Sequence, residues 1–114
     1  MPLSVAADPN ARERLSKDYW EHVWQGVKLP RTVRPAAVPD EHAIFKRFLP
    51  PPGNQTSLLE AGCAPGRWLH YFADNFGYSV TGLDYADDAC RITRRNLKLL
   101  DTPAEIINAD LFSA

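Results

Sequence analysis

Only two of the 114 residues are cysteines, Cys63 and Cys90, too few for a disulfide framework. Cys63 falls in a glycine loop and Cys90 on the apolar side of a helical stretch, so both read as small packing groups rather than nucleophiles. Neither sign of charge is in excess. Thirteen basic and 14 acidic side chains leave −1, whereas a polyanion-binding surface needs a clustered basic excess. Arg91, Arg94, Arg95 and Lys98 do cluster, but their helix opens on Asp87 and Asp88. Acid first and base last complements the helix dipole and predicts a solvated face. Histidine is sparse: His22, His42 and His70 show no metal-ligand spacing and have no cysteine or acidic partner nearby, so no metal is expected. No apolar stretch approaches membrane-spanning length. The opening Met-Pro-Leu-Ser-Val-Ala-Ala-Asp lacks the basic region and apolar run of a signal peptide, and a cytoplasmic protein is expected. The length allows one domain at most.

What is present concentrates in Leu58-Leu59-Glu60-Ala61-Gly62-Cys63-Ala64-Pro65-Gly66-Arg67-Trp68. The stretch begins apolar and β-prone, turns through two glycines and a proline, and enters a helical pattern. A helix N-terminus gathers unpaired N–H groups and a partial positive charge, which suits a polar or anionic ligand group. Gly62 and Gly66 let the backbone approach such a ligand without an intervening Cβ, and Glu60 adds a carboxylate that prefers a cation or a donor. The plainer reading is a strand-to-helix turn that needs glycine. A dinucleotide fold wants G-x-G-x-x-G; counted from Gly62 those positions hold Gly62, Ala64 and Arg67, and arginine fits the third poorly. The pattern acidic-x-Gly-x-(Gly/Ala)-x-Gly does fit, at Glu60, Gly62, Ala64 and Gly66.

Two further short β-prone runs also lead to acids. Ser79–Asp84 ends on Asp84, 22 positions after Gly62, where a carboxylate can accept from both hydroxyls of a ribose diol. Residues 104–108 lead into Ala109-Asp110-Leu111-Phe112, so a third acid, Asp110, follows the third run. The glycine loop, GLDYADDA and NADLF together resemble the successive cofactor motifs of the class I S-adenosylmethionine-dependent methyltransferases, over about residues 40–114. The resemblance implies that the loop passes beneath the methionine part of S-adenosylmethionine, with the acid near its ammonium group. It places the cofactor contacts at Glu60, Gly62, Cys63, Ala64, Gly66, Asp84, Tyr85, Asp110 and Leu111. Catalytic residues are not identified. Two other classes stay open: an NAD(P)-dependent oxidoreductase, which Arg67 disfavours, and a non-catalytic module that keeps the cofactor fold.

Leu15, Tyr19, Trp20, Val23 and Trp24 recur at helical steps from Glu13 to about Val27. This helix either packs as an amphipathic element or forms a lid over cofactor and acceptor; DYWEHVWQGVKLP is similar to the N-terminal segment of small-molecule methyltransferases of the thiopurine type. Residues 28–39 hold three of the ten prolines and read as an extended loop. Asp40 is expected to cap a short helix carrying Ala43, Ile44, Phe45, Phe48 and Leu49. Strand one (57–61), helix A (66–76, closed by Gly77), strand two (79–83), helix B (87–100) and strand three (104–108) follow. Alternation of this kind means parallel strands and right-handed crossovers. The expected fold is α/β, a Rossmann-like half-domain with strand order 3-2-1 and helices mainly on one face. Residues 1–39 would be a helix and extended loop, and 40–114 a partial S-adenosylmethionine-binding domain. The chain looks like the N-terminal half of a small-molecule methyltransferase, expected to be inactive alone and to self-associate through an exposed strand one. Ala-Pro-Gly-Arg-Trp, ending on Trp68, is also similar to ribosomal RNA ribose methyltransferases of the heat-shock type, against which the neutral charge argues.

Overall fold

Proline and glycine divide this chain before its hydrophobic pattern does. The computed structural model describes Tyr19 and residues 23–110. Tyr19 and residues 23–25 are helical; Leu15, Trp20, His22 and Leu111 lie outside the described residues. The linker that follows is irregular, with a turn at Gly26 and a 3-10 turn at Pro35–Ala37. Helix α1, Pro39–Phe48, starts two residues earlier than a cap at Asp40 implies. The expectation that Asp40 caps it is corrected: Val38 is the cap and Pro39 the first helical residue, where proline's fixed φ and missing N–H are no handicap. Asp40 and Glu41 instead lie in the first turn and Lys46 and Arg47 in the last, following the dipole.

The core elements are β1 (Ser57–Ala61), α2 (Arg67–Phe76), β2 (Ser79–Asp84), α3 (Asp87–Leu99) and β3 (Glu105–Asn108). Gly77 closes α2 in the left-handed conformation, φ 68°. All strands pair in parallel in the order β1-β2-β3, with Leu59 beside Thr81 and Gly82 beside Ile106. This is the expected 3-2-1 half-sheet. β3 begins at Glu105 rather than 104, and α3 ends at Leu99 rather than Leu100.

Period-two alternation decides what each strand residue does. Val80, Asp84 and Ile106 are buried beneath the helices, whereas Leu59 is 63% and Ile107 38% exposed on the other face. The helices are therefore one-sided. Leu69, Tyr71, Phe72 and Phe76 of α2 form the core with Val80, Cys90, Leu97 and Ile106. Each fully buried side chain of this size contributes about 1.5–3 kcal/mol. Phe45 brings α1 onto the same layer, with ring centroids 5.1 Å from Phe72 and 6.1 Å from Trp68.

Arg91, Arg94, Arg95 and Lys98 are all exposed, the solvated face expected of α3, and two of them also bond within the fold. Arg91 pairs with Asp88, and Arg94 Nη2 donates to the Ile106 carbonyl at 2.8 Å. Asp88 is buried and also accepts from Gln25 Nε2 at 3.4 Å. Among the described residues no helix is long and apolar enough to cross a membrane.

Candidate functional site

β1 delivers Glu60 to the carboxyl edge of the sheet, and the chain then turns back through residues 62–66. Gly62 N–H donates to the Leu83 carbonyl at 2.7 Å, and Gly66 N–H to the Cys63 carbonyl at 2.7 Å. Gly62 and Gly66 have φ of 69° and 90°, a region unfavourable to side chains. Their surroundings differ. A Cβ at Gly62 would meet nothing within 4 Å, so the loop there is open to an incoming group. At Gly66 it would lie 2.9 Å from Thr93 Cγ2 and 3.3 Å from Leu97 Cγ, so this glycine answers to the approach of α3.

Asp84 ends β2 and points into the same loop. Its carboxylate accepts from Ala64 N–H at 3.3 Å and from Ala86 N–H at 3.4 Å, and the residue is only 8% exposed. Cys63 is buried beside it. Burial first, then the Asp84 and Glu60 charges, push its thiol up to about 12, which leaves it protonated and non-nucleophilic at neutral pH. Cys90 is shifted upward for the same leading reason. Tyr85 is raised by burial and then by Asp84 and Asp110, which places Asp110 within electrostatic reach of Tyr85.

Glu60 is the anomaly of the site. Its Oε1 is buried and has no hydrogen-bond partner among the described residues. Burial pushes its pKa up to about 7, with the Arg67 charge opposing and the Asp84 charge assisting. The carboxyl lines a groove of about 340 Å³ together with Leu58, Phe45, Trp68 and Phe72. A half-buried acid with an empty hydrogen-bonding position suits a cationic donor. Among the described residues no group of three or more His, Cys, Asp and Glu could hold a metal ion.

The structure thus brings Glu60, Gly62, Cys63, Ala64, Gly66 and Asp84 together and sets Tyr85 and Asp110 farther along the same edge. Two structural residues escaped the sequence reading. Gly82 lies inside β2, where a Cβ would come 2.6 Å from Cys63 Sγ and 2.8 Å from Leu69 Cδ1. A glycine in a strand interior is the available signal for such a close approach. Asn96 is fully buried on α3. Its amide accepts from Arg31 N–H at 2.7 Å and donates to the carbonyls of Arg31 at 3.0 Å and Pro65 at 2.8 Å, joining linker, glycine loop and helix.

Known folds share this arrangement. A structure described under the conversion of a disulfide bond into a thioacetal group during echinomycin biosynthesis is 26% identical, with a TM-score of 0.58, covering 82% of this chain and 39% of that one. Phosphoethanolamine N-methyltransferase 2 of Haemonchus contortus, in complex with S-adenosyl-L-methionine, is 19% identical, with a TM-score of 0.56 over 96% of this chain and 25% of that one. Geranyl diphosphate C-methyltransferase of Streptomyces coelicolor A3(2), in complex with Mg2+, geranyl-S-thiolodiphosphate and S-adenosyl-L-homocysteine, is 15% identical, with a TM-score of 0.57 over 99% of this chain and 52% of that one. The chain therefore spans between a quarter and about half of these proteins. No curated protein matches it. The family model described as "Methyltransferase domain" matches residues 58–114, half of the chain, beginning on β1 and taking in the glycine loop and both later strands. The chain belongs to the methyltransferase domain family.

Proposed function

We propose that this chain is the S-adenosylmethionine-binding portion of a class I methyltransferase acting on a small molecule in the cytoplasm. The observation that carries the reading is the buried, unpartnered Oε1 of Glu60 beside a glycine loop that is open at Gly62. An ammonium group docking there would supply the missing donor and favour the ionised carboxylate. S-adenosylmethionine, when bound, supplies an electrophilic methyl group on a sulfonium. The chain's own residues bind and orient it: Glu60 the ammonium end, the Gly62–Gly66 loop with Cys63 and Ala64 the methionine part, Asp84 and Tyr85 the ribose, Asp110 and Leu111 the adenine. Such positioning is the larger part of what an enzyme contributes to a group transfer of this kind. In this reading residues 40–114 are the cofactor domain, and residues 1–39 a helix and linker placed over it.

Arg67 stands where a dinucleotide fingerprint needs glycine, so the oxidoreductase reading is not favoured. Self-association is a further part of the proposal. Among the described residues nothing pairs with the outer edge of β1, whose N–H and C=O groups are a template for another strand, and a second copy can meet it there. The two free, buried thiols fit a reducing compartment.

The assignment is tested at Asp84. Charge-assisted hydrogen bonds to a diol are worth about 1.5–3 kcal/mol each. Asp84→Ala should therefore weaken S-adenosylhomocysteine binding about tenfold or more by isothermal calorimetry. Unchanged affinity in a variant that keeps its far-ultraviolet dichroism removes Asp84 from the ribose site.

A further inference from the structure

A second groove, of about 400 Å³, shares Trp68 with the Glu60 groove: it is bounded by Thr32, Val33, Arg34 and Val38 of the linker and by Arg67 and Trp68 at the start of α2. Two cations and no acid line it. Both arginines are exposed, and neither side chain makes a hydrogen bond or close ion pair with the described residues. The carboxylate known to feel Arg67 is Glu60, in the adjoining groove. Val33, Val38 and Trp68 are half-buried, so apart from Thr32 the remaining wall is apolar and aromatic.

The linker that carries Arg34 is not a loose connector. Asn96, fully buried, holds both the N–H and the carbonyl of Arg31 and, through its amide nitrogen, the Pro65 carbonyl of the glycine loop. The Pro35–Ala37 turn follows at once, with Ala37 N–H donating to the Arg34 carbonyl at 2.9 Å. Arg34 is thereby positioned against the first turn of α2 by a buried anchor on one side and a closed turn on the other. Two guanidinium groups across an apolar floor match a small molecule with one carboxylate or phosphate and an apolar body.

We propose that this groove, resting on the methyltransferase reading for the identity of its occupant, is the anchoring site for the anionic group of the methyl acceptor, with Arg34 and Arg67 as the anion contacts and Val33, Val38 and Trp68 as the floor. The acceptor class is an amphipathic carboxylate or phosphate monoester. The cofactor's own carboxylate is the other source of the same chemistry, and the test separates the two.

Calorimetric titrations of the whole chain with phenyl phosphate, phenol and S-adenosylhomocysteine provide that test. Phenyl phosphate should bind and phenol should not. The Arg34→Gln variant, which leaves the Arg67 charge beside Glu60 in place, should lose about tenfold in phenyl phosphate affinity, the worth of a guanidinium–anion contact, and keep its S-adenosylhomocysteine affinity. The Arg34 side chain is exposed, so the variant should retain the wild-type dichroism and melting curve. Absent phenyl phosphate binding, or binding that Arg34→Gln leaves intact, overturns the proposal. An Arg34→Gln variant that loses S-adenosylhomocysteine but keeps phenyl phosphate overturns it too, and gives the arginine to the cofactor. Failure of the wild-type chain to bind S-adenosylhomocysteine while phenyl phosphate binding depends on Arg34 would remove the cofactor reading and leave the anion groove standing.

Discussion

Glu60 shows how far a single residue can be read before the fold is known. Its position at the end of an apolar strand, two residues before a glycine, marked it as a ligand contact. Its burial was not legible, because the side chains that enclose the groove come from Phe45 on α1 and from Trp68 and Phe72 on α2. Burial has a consequence for stability. The folded pKa is raised from the usual 4.5 to about 7, so the native state holds a proton that the unfolded chain releases. Below about pH 4.5 both states are protonated and the residue is neutral in effect. Between about 4.5 and 7 stability falls as pH rises, and above 7 the full penalty of a buried unpaired charge remains. Glu60→Gln should therefore melt near the wild-type temperature at pH 4.5 but several degrees higher at pH 8, since a domain of this size shifts by roughly 4–8 °C per kcal/mol. Equal shifts at both pH values would show that Glu60 is ionised and solvated in the native state. Asn96 taught the opposite lesson. An amide inside the apolar stripe of Ala89, Thr93 and Leu97 was visible in the sequence, but its partners Arg31 and Pro65 lie 65 and 31 residues away.

Elements were more legible than residues. The strands and helices of the core follow from local signals: β-branched or apolar runs of strand length, glycine at the end of α2, and acids opening α3. The start of α1 was misplaced because Pro39 outranked Asp40 as a start signal, proline being accepted in the first turn without a capping side chain. The two loop glycines looked equivalent in sequence and differ in the fold, because only α3 distinguishes them. Gly62→Ala enters open space and bears only the left-handed φ penalty of about 1–2 kcal/mol. Gly66→Ala adds an overlap with Thr93 at 2.9 Å, and one of the two helices must shift. Urea denaturation should rank Gly66→Ala as the less stable of the two. S-adenosylhomocysteine titration should find that Gly62→Ala, although folded, binds more weakly than wild type. A Gly66→Ala variant as stable as Gly62→Ala would contradict the packing role given to Gly66.

At the scale of the whole molecule the sheet order was legible, because short parallel crossovers of one hand leave few arrangements. What covers the second face of the sheet was not, since the alternation along a strand separates its two faces without saying what packs on either. Among the described residues helices cover one face only, Leu59 is 63% exposed on the other, and the outer edge of β1 has no partner. Parallel sheets are normally covered on both sides. Leu59→Lys, which puts a charge on the open face beside that edge, should convert an associating chain to monomer in size-exclusion chromatography with light scattering. A wild-type chain that is monomeric at high micromolar concentration would remove the self-association proposal. The central claim is that the loop between β1 and α2, with Glu60 and Asp84, holds S-adenosylmethionine. It is tested most directly by calorimetric titration of the chain with S-adenosylhomocysteine and, separately, with NAD. Saturable one-to-one binding of S-adenosylhomocysteine and none of NAD is the predicted result; binding of NAD, or of neither, would contradict it.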